Sequence, residues 1–268
     1  MKKIKNLFYA ALVVLSLGML GAWAPVSVAS AEIRFADAQM YSTYATETIT
    51  FDNKETDYKK NYAPQYYLIS GLKNACGALA GTEVVGFYDK YHPSMIPIWE
   101  SFYASSGKYK PQDDEYVPNV MNELYKLMNT NVGGTGVSES DFVNGLKRYI
   151  MRQGYVVNMQ CVSSGTSIDY AACKTAINNN KAIVLLIKAT DVYLLSEGTT
   201  QDSISTVRIA DSHIMMVSGY HEIKYYKSGS LFRTDRYLIA SSGSLSIGTV
   251  YYRLNDGSLS GAYIVDIL

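Results

Sequence analysis

The chain has 268 residues, and its 24 basic and 24 acidic residues balance. This even charge leaves no electrostatic footprint for binding DNA or RNA. Three cysteines are too few for a disulfide-rich secreted scaffold, and none are at the C-x-x-C spacing of a zinc or redox site. We therefore expect no metal and no cofactor, and because three is an odd number, at least one cysteine is expected to be a free thiol.

Residues 1–31 have the pattern of a secretory signal peptide. Three lysines precede an apolar run over residues 7–23, and an A-x-A pattern ends at Ala31, so cleavage is predicted before Glu32. An uncleaved membrane anchor is the alternative. No later stretch approaches the roughly 20 apolar residues that a spanning helix needs. We expect a secreted or cell-surface protein that has no membrane span once the signal is removed.

Residues 32–64 are polar and show no clear periodicity, so they are predicted to form an irregular N-terminal arm or a pro-segment. Residues 65–268 are long enough to bury a core of their own, and we expect them to form one domain.

The first predicted helix carries a cysteine at its start. Asn74 is a good N-cap, which places Cys76 in the first turn, and Pro93 disfavours helical geometry before it and ends the helix. Its glycines suit a helix buried against close neighbours. Three further helices are predicted, over Val117–Met128, over residues 142–150 behind a capping pair at Ser138 and Asp141, and over residues 168–178.

The second half of the chain is predicted to be mainly strand. Residues 181–189 form an apolar run typical of a buried central strand, and two longer strands flank the turn "KSGS" as a hairpin. Further strands are predicted over residues 155–162, 249–254 and 262–268. The fold class is therefore α+β, with an N-terminal helical half packed on a C-terminal antiparallel sheet.

Cys76 is the candidate nucleophile. A thiolate is far more reactive than a thiol, and a helix N-terminus lowers the pKa of a cysteine. The free backbone N–H groups at the same helix end could hold an oxyanion. Cysteine is also a common core residue, so buried packing is the alternative for Cys76 and the expectation for Cys161 and Cys173.

His213 is the histidine placed to serve as a base. It opens the apolar strand "HIMMVSGY", and its distance along the chain from Cys76 falls within the about 130–150 residues found in papain-like peptidases. A satisfied core histidine is the alternative. His92 lies at the far end of the cysteine helix and His221 near the hairpin turn, so both are expected to be structural.

Two motifs carry a resemblance to a known family. The stretches "NACGALAGTEVVGFYDKY" and "SHIMMVSGYH" resemble the papain-like cysteine peptidases, in the branch of the bacteriocin-processing (double-glycine) peptidases, over residues 65–268. The resemblance implies a papain-like fold, a peptide or protein substrate and no cofactor. It also implies Cys76 as nucleophile and His213 as general base and then general acid, facing each other across a cleft.

The sequence departs from the family pattern at two positions. Where the family has an oxyanion-hole glutamine the chain has Ser70, and Gln65 is too far upstream, so Asn74 or the backbone N–H of Cys76 becomes the candidate donor. Where the family has an asparagine or aspartate that orients the histidine, Ser242 is the best-placed substitute, as a third member of the catalytic set.

The sequence leads to a first hypothesis of a secreted cysteine peptidase. Two alternatives stay open: a cell-wall amidase or acyltransferase of related architecture, and a catalytically inactive papain-like domain that binds partners outside the cell. The sequence does not fix an oligomeric state.

Overall fold

The computed structural model describes residues 33–37, 40–97, 112, 115–254 and 257–268, and of residues 41–45 only the backbone. The predicted signal peptide lies outside this part of the chain. The described residues form a mixed α+β fold with four helices and a large antiparallel sheet, so the predicted fold class is confirmed at this level.

The helices are α1 (Cys76–Asp89), α2 (Tyr116–Leu127), α3 (Glu139–Arg152) and α4 (Tyr170–Asn178). The strands are β1 (Arg34–Phe35), β2 (Met40–Thr50), β3 (Asn53–Lys60), β4 (Val137–Ser138), β5 (Val157–Cys161), β6 (Ser163–Ser164), β7 (Ser167–Ile168), β8 (Ala182–Ile187), β9 (Thr190–Ser196), β10 (Gln201–Ile209), β11 (His213–Lys227), β12 (Ser230–Ser241), β13 (Thr249–Arg253) and β14 (Leu259–Ile267).

The main sheet is organised around β11. Its strands follow the order β2-β10-β9-β13-β12-β11-β8-β14-β5, and β3 also pairs with β11. Along one edge β11 pairs with β12, as the predicted hairpin requires. Along its other edge it pairs first with β8, over His213–Val217, and then with β3, over Gly219–Tyr226. The first residues of β11 therefore pair with β8 along one edge, ahead of the hairpin with β12.

Side chains of the central strand β8 pack on both faces of the sheet. Val184 and Leu186 belong to the core under α1, α2 and α3, whereas Ile183, Leu185 and Ile187 belong to the core under α4. Successive strand residues point to opposite faces. Because both faces are covered, the strand needs an unbroken apolar run, which is the pattern that predicted it.

Helix α1 is buried along its whole length, as its glycines indicated. A Cβ at Gly77 would lie 2.7 Å from Val137 Cγ1, so only glycine lets the helix approach β4 this closely. The predicted cap is wrong. The N-cap is Ala75, and no side chain caps the helix, while Asn74 has a φ of 56°. A left-handed residue turns the chain sharply just before the helix, so Cys76 is the first helical residue.

The other predicted helices are present with small changes in their ends. Ser138 caps α3 by accepting a hydrogen bond from the Asp141 N–H at 3.1 Å, as its spacing predicted. Helix α4 starts at Tyr170 rather than residue 168, because Asp169 caps it through the N–H of Ala172 at 2.9 Å. Within the described residues, no helix is long and apolar enough to cross a membrane.

The prediction of an irregular segment at residues 32–64 is wrong, because strands β2 and β3 lie within it. Almost every residue of β3 is at least partly exposed, and backbone pairing to β11 holds the strand in place. A strand that is exposed to solvent on both faces shows no alternation of apolar and polar residues, and this alternation is the signal that identifies strands in sequence. Strands β9 and β10 were not predicted either.

Candidate functional site

Cys76 lies where the start of α1 meets the start of β11. Its side chain is 1% exposed, and its sulfur lies beside the backbone N–H of Ile214, the residue that follows His213. A Cβ at the neighbouring Gly77 would lie 3.5 Å from Ile214 Cδ1, which shows how closely the two elements approach. The fold thus brings the sequence-predicted cysteine and the strand of the sequence-predicted histidine together.

His213 is the first residue of β11 and is 4% exposed. Its Nε2 lies 3.2 Å from the backbone carbonyl oxygen of Ser242. A carbonyl can only accept, so Nε2 carries the hydrogen and Nδ1 keeps a lone pair. Nδ1 is buried and has no hydrogen-bond partner among the described residues. The imidazole therefore presents an unused basic nitrogen in the protein interior.

Ser242 holds His213 through its main chain and not through the hydroxyl that the sequence suggested. The hydroxyl instead accepts a hydrogen bond from the Ser244 N–H at 3.1 Å, inside a turn. Gly243, with a φ of 74°, provides the left-handed residue of this turn. Ser242 therefore lies beside His213, with its carbonyl oxygen and not its hydroxyl as the acceptor.

A buried carboxyl group braces the segment that holds His213. Glu83 Oε1 on α1 accepts from the Ser241 hydroxyl at 2.5 Å and from the Tyr66 N–H at 3.2 Å. Burial raises the pKa of Glu83 to about 8, so the group is largely protonated at neutral pH. Because Ser241 precedes Ser242, this contact ties the histidine's acceptor to the helix that carries Cys76. The sequence signal was an acid in the middle of a largely apolar helix.

Residues 33–37 form a segment, here named the N-terminal strap, that crosses this region. Arg34 and Phe35 make up β1, which pairs with β4. The Arg34 guanidinium donates to the carbonyls of Val132 and Gly136 at 3.0 and 2.9 Å. The Phe35 side chain is fully buried in the core that contains α1. The strap is therefore fixed by a strand pair, a buried ring and a chelating arginine.

The last two residues of the strap contact both candidate residues. The Ala36 N–H donates to the Ser212 carbonyl at 3.2 Å, and the Ala36 carbonyl lies beside the His213 ring. The Asp37 carboxylate lies beside the backbone N–H groups of residues 74–76, and its charge acts on Cys76. Asp37 Oδ1 is buried without a hydrogen-bond partner in the described part of the chain. These residues belong to the segment 32–64, which the sequence predicts to be an N-terminal arm or a pro-segment.

Both candidate groups are neutral in this arrangement. Burial raises the pKa of the Cys76 thiol to about 12, and the Asp37 charge raises it further, while the Ile214 N–H opposes the shift. Burial lowers the pKa of His213. The sequence predicted that the helix end would lower the thiol pKa, but loss of water outweighs the helix field here.

Of the predicted oxyanion donors, the side-chain candidates lie away from the site and the backbone candidates lie in it. The Asn74 side chain donates to Asn131 Oδ1 at 3.0 Å, so its amide is engaged outside the site. The Gln65 side chain contacts Thr249, and Ser70 is exposed in a turn. The donors left at the helix end are backbone N–H groups, including that of Cys76, which are the groups that face Asp37.

The remaining candidates lie elsewhere. His92 follows the end of α1, next to the ring of Tyr155, and His221 lies among charged side chains further along β11. Cys173 is buried as expected, whereas the expectation of a buried Cys161 is wrong, because that residue is exposed; both are free thiols. No group of three or more His, Cys, Asp or Glu residues in the described ranges could hold a metal ion.

Comparison of the chain with family models, curated proteins and solved structures finds no match.

Proposed function

We propose that this protein is a secreted cysteine peptidase of papain-like architecture that uses Cys76 and His213. The observation that carries the proposal is the position of the Cys76 sulfur at the first residue of a buried helix, against the backbone next to His213. These residues are far apart in sequence, and the packing of α1 on β11 sets the start of the cysteine helix against the strand that His213 opens. The imidazole has one nitrogen fixed by a carbonyl and one free, as a general base requires.

The first half of the reaction forms an acyl-enzyme. The Cys76 thiol gives its proton to Nδ1 of His213, and the thiolate attacks the carbonyl carbon of a peptide bond. The electron pair moves to the carbonyl oxygen, giving a tetrahedral oxyanion. As that oxyanion collapses, the C–N bond breaks, and the amine leaves with the proton that His213 returns. The product is a thioester on Cys76.

The second half releases the acid. His213 takes a proton from water, the resulting hydroxide equivalent attacks the thioester carbonyl, and the C–S bond breaks. Cys76 recovers the proton as the carboxylic acid leaves. No redox step occurs and no external cofactor enters the balance.

The backbone at the start of α1 suits the role of oxyanion stabiliser. Its N–H groups point out of the helix end, where a helix presents partial positive charge. They already face a carboxylate, that of Asp37. Removing one such donor from an oxyanion site typically costs about 10²–10³ in rate. Backbone donors would make the family's missing glutamine dispensable.

Hydrolysis of protein and peptide substrates tests this proposal. The purified chain is incubated under reducing conditions with an unstructured protein and with a mixed peptide library, and new amino termini are identified by mass spectrometry. We expect cleavage by the unmodified sequence and none by Cys76→Ala. Cleavage that persists in Cys76→Ala, after contaminating proteases are excluded, contradicts the proposal.

The burial of the sulfur favours one rival, an inactive domain that binds partners. A thiol that is 1% exposed cannot meet a substrate unless the structure opens. Alkylation separates the two hypotheses, because an inactive binder should label Cys76 no faster than the core thiol of Cys173. Muropeptides offered beside protein substrates test the cell-wall amidase, which would cleave only the former.

A further inference from the structure

We propose that the N-terminal strap is an intramolecular inhibitor whose Asp37 carboxylate occupies the anion-binding end of α1 and keeps substrate from Cys76 and His213. This inference rests on the proposed function, because it assigns a reason for the closure of that site. It makes the protein latent until the strap moves. In the closed state, the group bound at the start of α1 is the chain's own Asp37 carboxylate.

The first support is that the strap touches every part of the catalytic arrangement at once. Its Ala36 carbonyl lies beside the His213 ring, and its Asp37 carboxylate lies beside the N–H groups of residues 74–76. A tetrahedral oxyanion would need those same N–H groups. A substrate carbonyl and the Asp37 carboxylate therefore compete for one place.

The second support is the unused hydrogen-bonding capacity left beneath the strap. Nδ1 of His213 and Oδ1 of Asp37 are both buried without a hydrogen-bond partner in the described residues. Buried polar atoms are almost always paired, because leaving one unpaired costs about 1–3 kcal/mol. An unpaired imidazole nitrogen beneath a covering segment fits a site whose natural partner enters only when the cover leaves.

The third support is electrostatic. The negative charge of Asp37 opposes formation of a thiolate at Cys76, and the dryness of the site opposes the charged imidazole. Both effects keep the proton on sulfur. Moving the strap away would remove the charge and admit water, so access and thiol activation change together.

The strap is attached in a way that allows release without unfolding the sheet. Within the described part of the chain, its strand β1 pairs only with the two-residue strand β4 and does not join the ten-stranded sheet. Arg34 and Phe35 supply the other anchors. Segments with few backbone pairs lie at the low-stability end of a protein's local opening free energies.

Alkylation of Cys76 tests the inference directly, without needing a known substrate. The full chain carries Cys161→Ser, which removes the exposed thiol, and iodoacetamide labelling near pH 8 is followed by mass spectrometry of the Cys76 and Cys173 peptides. The double variant Arg34→Ala/Phe35→Ala should label Cys76 about tenfold faster or more, since it removes both strap anchors. Cys173, in a different core, should label no faster, and Arg152→Ala is the matched surface control.

A second variant covers the case in which the first one unfolds, which fast labelling of Cys173 would reveal. Asp37→Ala leaves both anchors in place and should still speed Cys76 labelling several-fold, because the opposing charge is gone. Asp191→Ala, which removes an acid paired with Arg208 on a neighbouring strand, is its control. Equal Cys76 labelling in Asp37→Ala and the parent overturns the inference, as does a parent chain that labels Cys76 as fast as a free thiol.

Addition of the strap in trans provides a further check. The peptide Ile-Arg-Phe-Ala-Asp, at concentrations of about 1 mM to match an intramolecular segment, should slow Cys76 labelling in Arg34→Ala/Phe35→Ala. The same peptide ending in alanine should protect less. Equal effects of the two peptides count against the role given to Asp37.

Failure of the strap and failure of the peptidase give different results. If the loosened chain labels Cys76 quickly but cleaves no peptide, the strap inference stands and the peptidase proposal falls. If loosening changes neither labelling nor cleavage, and the parent cleaves peptides, the peptidase stands and the strap falls. Labelling near pH 6 that is lost on His213→Ala in the loosened chain links Cys76 to its proposed base.

Discussion

His213 and His221 lie on the same strand, and their surroundings differ in kind. Both rings are nearly inaccessible, and in both burial lowers the pKa and Nδ1 lacks a hydrogen-bond partner among the described residues. Around His221 lies a network of charges. Glu197 Oε1 is 3.7 Å from its Nε2, and Lys54 bridges Glu197 at 2.8 Å to Asp202 at 2.9 Å. Around His213 lie the backbone carbonyls of Ser242 and Ala36.

The two histidines differ in whether neighbouring charges offset the cost of burying the ring, and only His221 has such charges among the described residues. The charges near His221 satisfy one another, and Asp202 also accepts hydrogen bonds from the Tyr225 hydroxyl at 3.0 Å and the Gly198 N–H at 2.9 Å. Such a network stabilises the sheet and leaves little capacity for a ligand. Among the described residues no such charges surround His213, and the strand that it opens packs against the helix that begins at Cys76. A buried titratable group without a compensating partner is typical of a functional site, whereas a group inside a charge network is typical of a structural one.

The largest expected effect separates the two histidines by activity. In the strap-loosened chain, Arg34→Ala/Phe35→Ala, the change His213→Ala should lower peptide hydrolysis by about 10³-fold or more, because it removes the proposed base. The change His221→Ala should leave most of the hydrolysis. Initial rates on the best peptide found in the library give the comparison, with thermal melts to confirm folding. Comparable losses in both variants would erase the distinction between the two sites.

The next effect separates them by stability. Asp202→Ala removes the acceptor shared by Lys54, Tyr225 and Gly198, so it should lower the free energy of unfolding by about 3–5 kcal/mol. Asp191→Ala breaks an exposed pair with Arg208 and should cost less than about 1 kcal/mol. Urea midpoints measure both. If the two variants unfold at the same urea concentration, the charged network contributes nothing special.

An element of the fold could be predicted from sequence where its own residues carry a local signal. The buried strand β8 and the capped helix α3 were predicted because apolar runs and a capping serine are local signals. Strands β2 and β3 were missed because an exposed strand is held by its backbone and carries no pattern in its side chains. Local chemistry predicts local structure, and the remaining structure is set by tertiary pairing.

The candidate site follows the same rule. Cys76 and His213 were identified by position and spacing, and the fold brings α1 and β11 together. The strap and the neutral state of the thiol were missed, because both depend on which residues exclude water from the site. Burial cannot be inferred for a five-residue segment such as 33–37. The orienting group at Ser242 was found at the right position but on the wrong atom, since backbone carbonyls carry no sequence signal.

The pH dependence of stability tests the buried Glu83 carboxyl, which holds the segment next to His213. Glu83 has a pKa of about 8 in the folded chain against 4.5 as its ordinary value, so the folded state retains a proton that the unfolded state loses. Its contribution to stability is complete below about pH 4.5 and is lost as the pH rises through about 8. Glu83→Gln keeps the acceptor and cannot ionise. Its unfolding free energy relative to the parent should therefore rise by roughly 4–5 kcal/mol across that window.

Urea unfolding of Glu83→Gln and the parent at four pH values between 4.5 and 9 gives this difference directly. Other titrating groups cancel in the subtraction. Glu123→Gln, on an exposed ion pair with Arg152, is the matched control and should show no such rise. A flat difference for Glu83→Gln would mean that the carboxyl is ionised in the folded chain.

The smallest expected effect tests the atom that holds His213. Ser242→Ala deletes the hydroxyl bonded to Ser244 but leaves the backbone carbonyl that faces Nε2. Stability should fall by about 1 kcal/mol, the usual value of one hydrogen bond, while hydrolysis in the strap-loosened chain should change less than about threefold. Thermal melts and initial rates measure the two quantities. A loss approaching that of His213→Ala would return the orienting role to the hydroxyl, because the carbonyl is present in both chains.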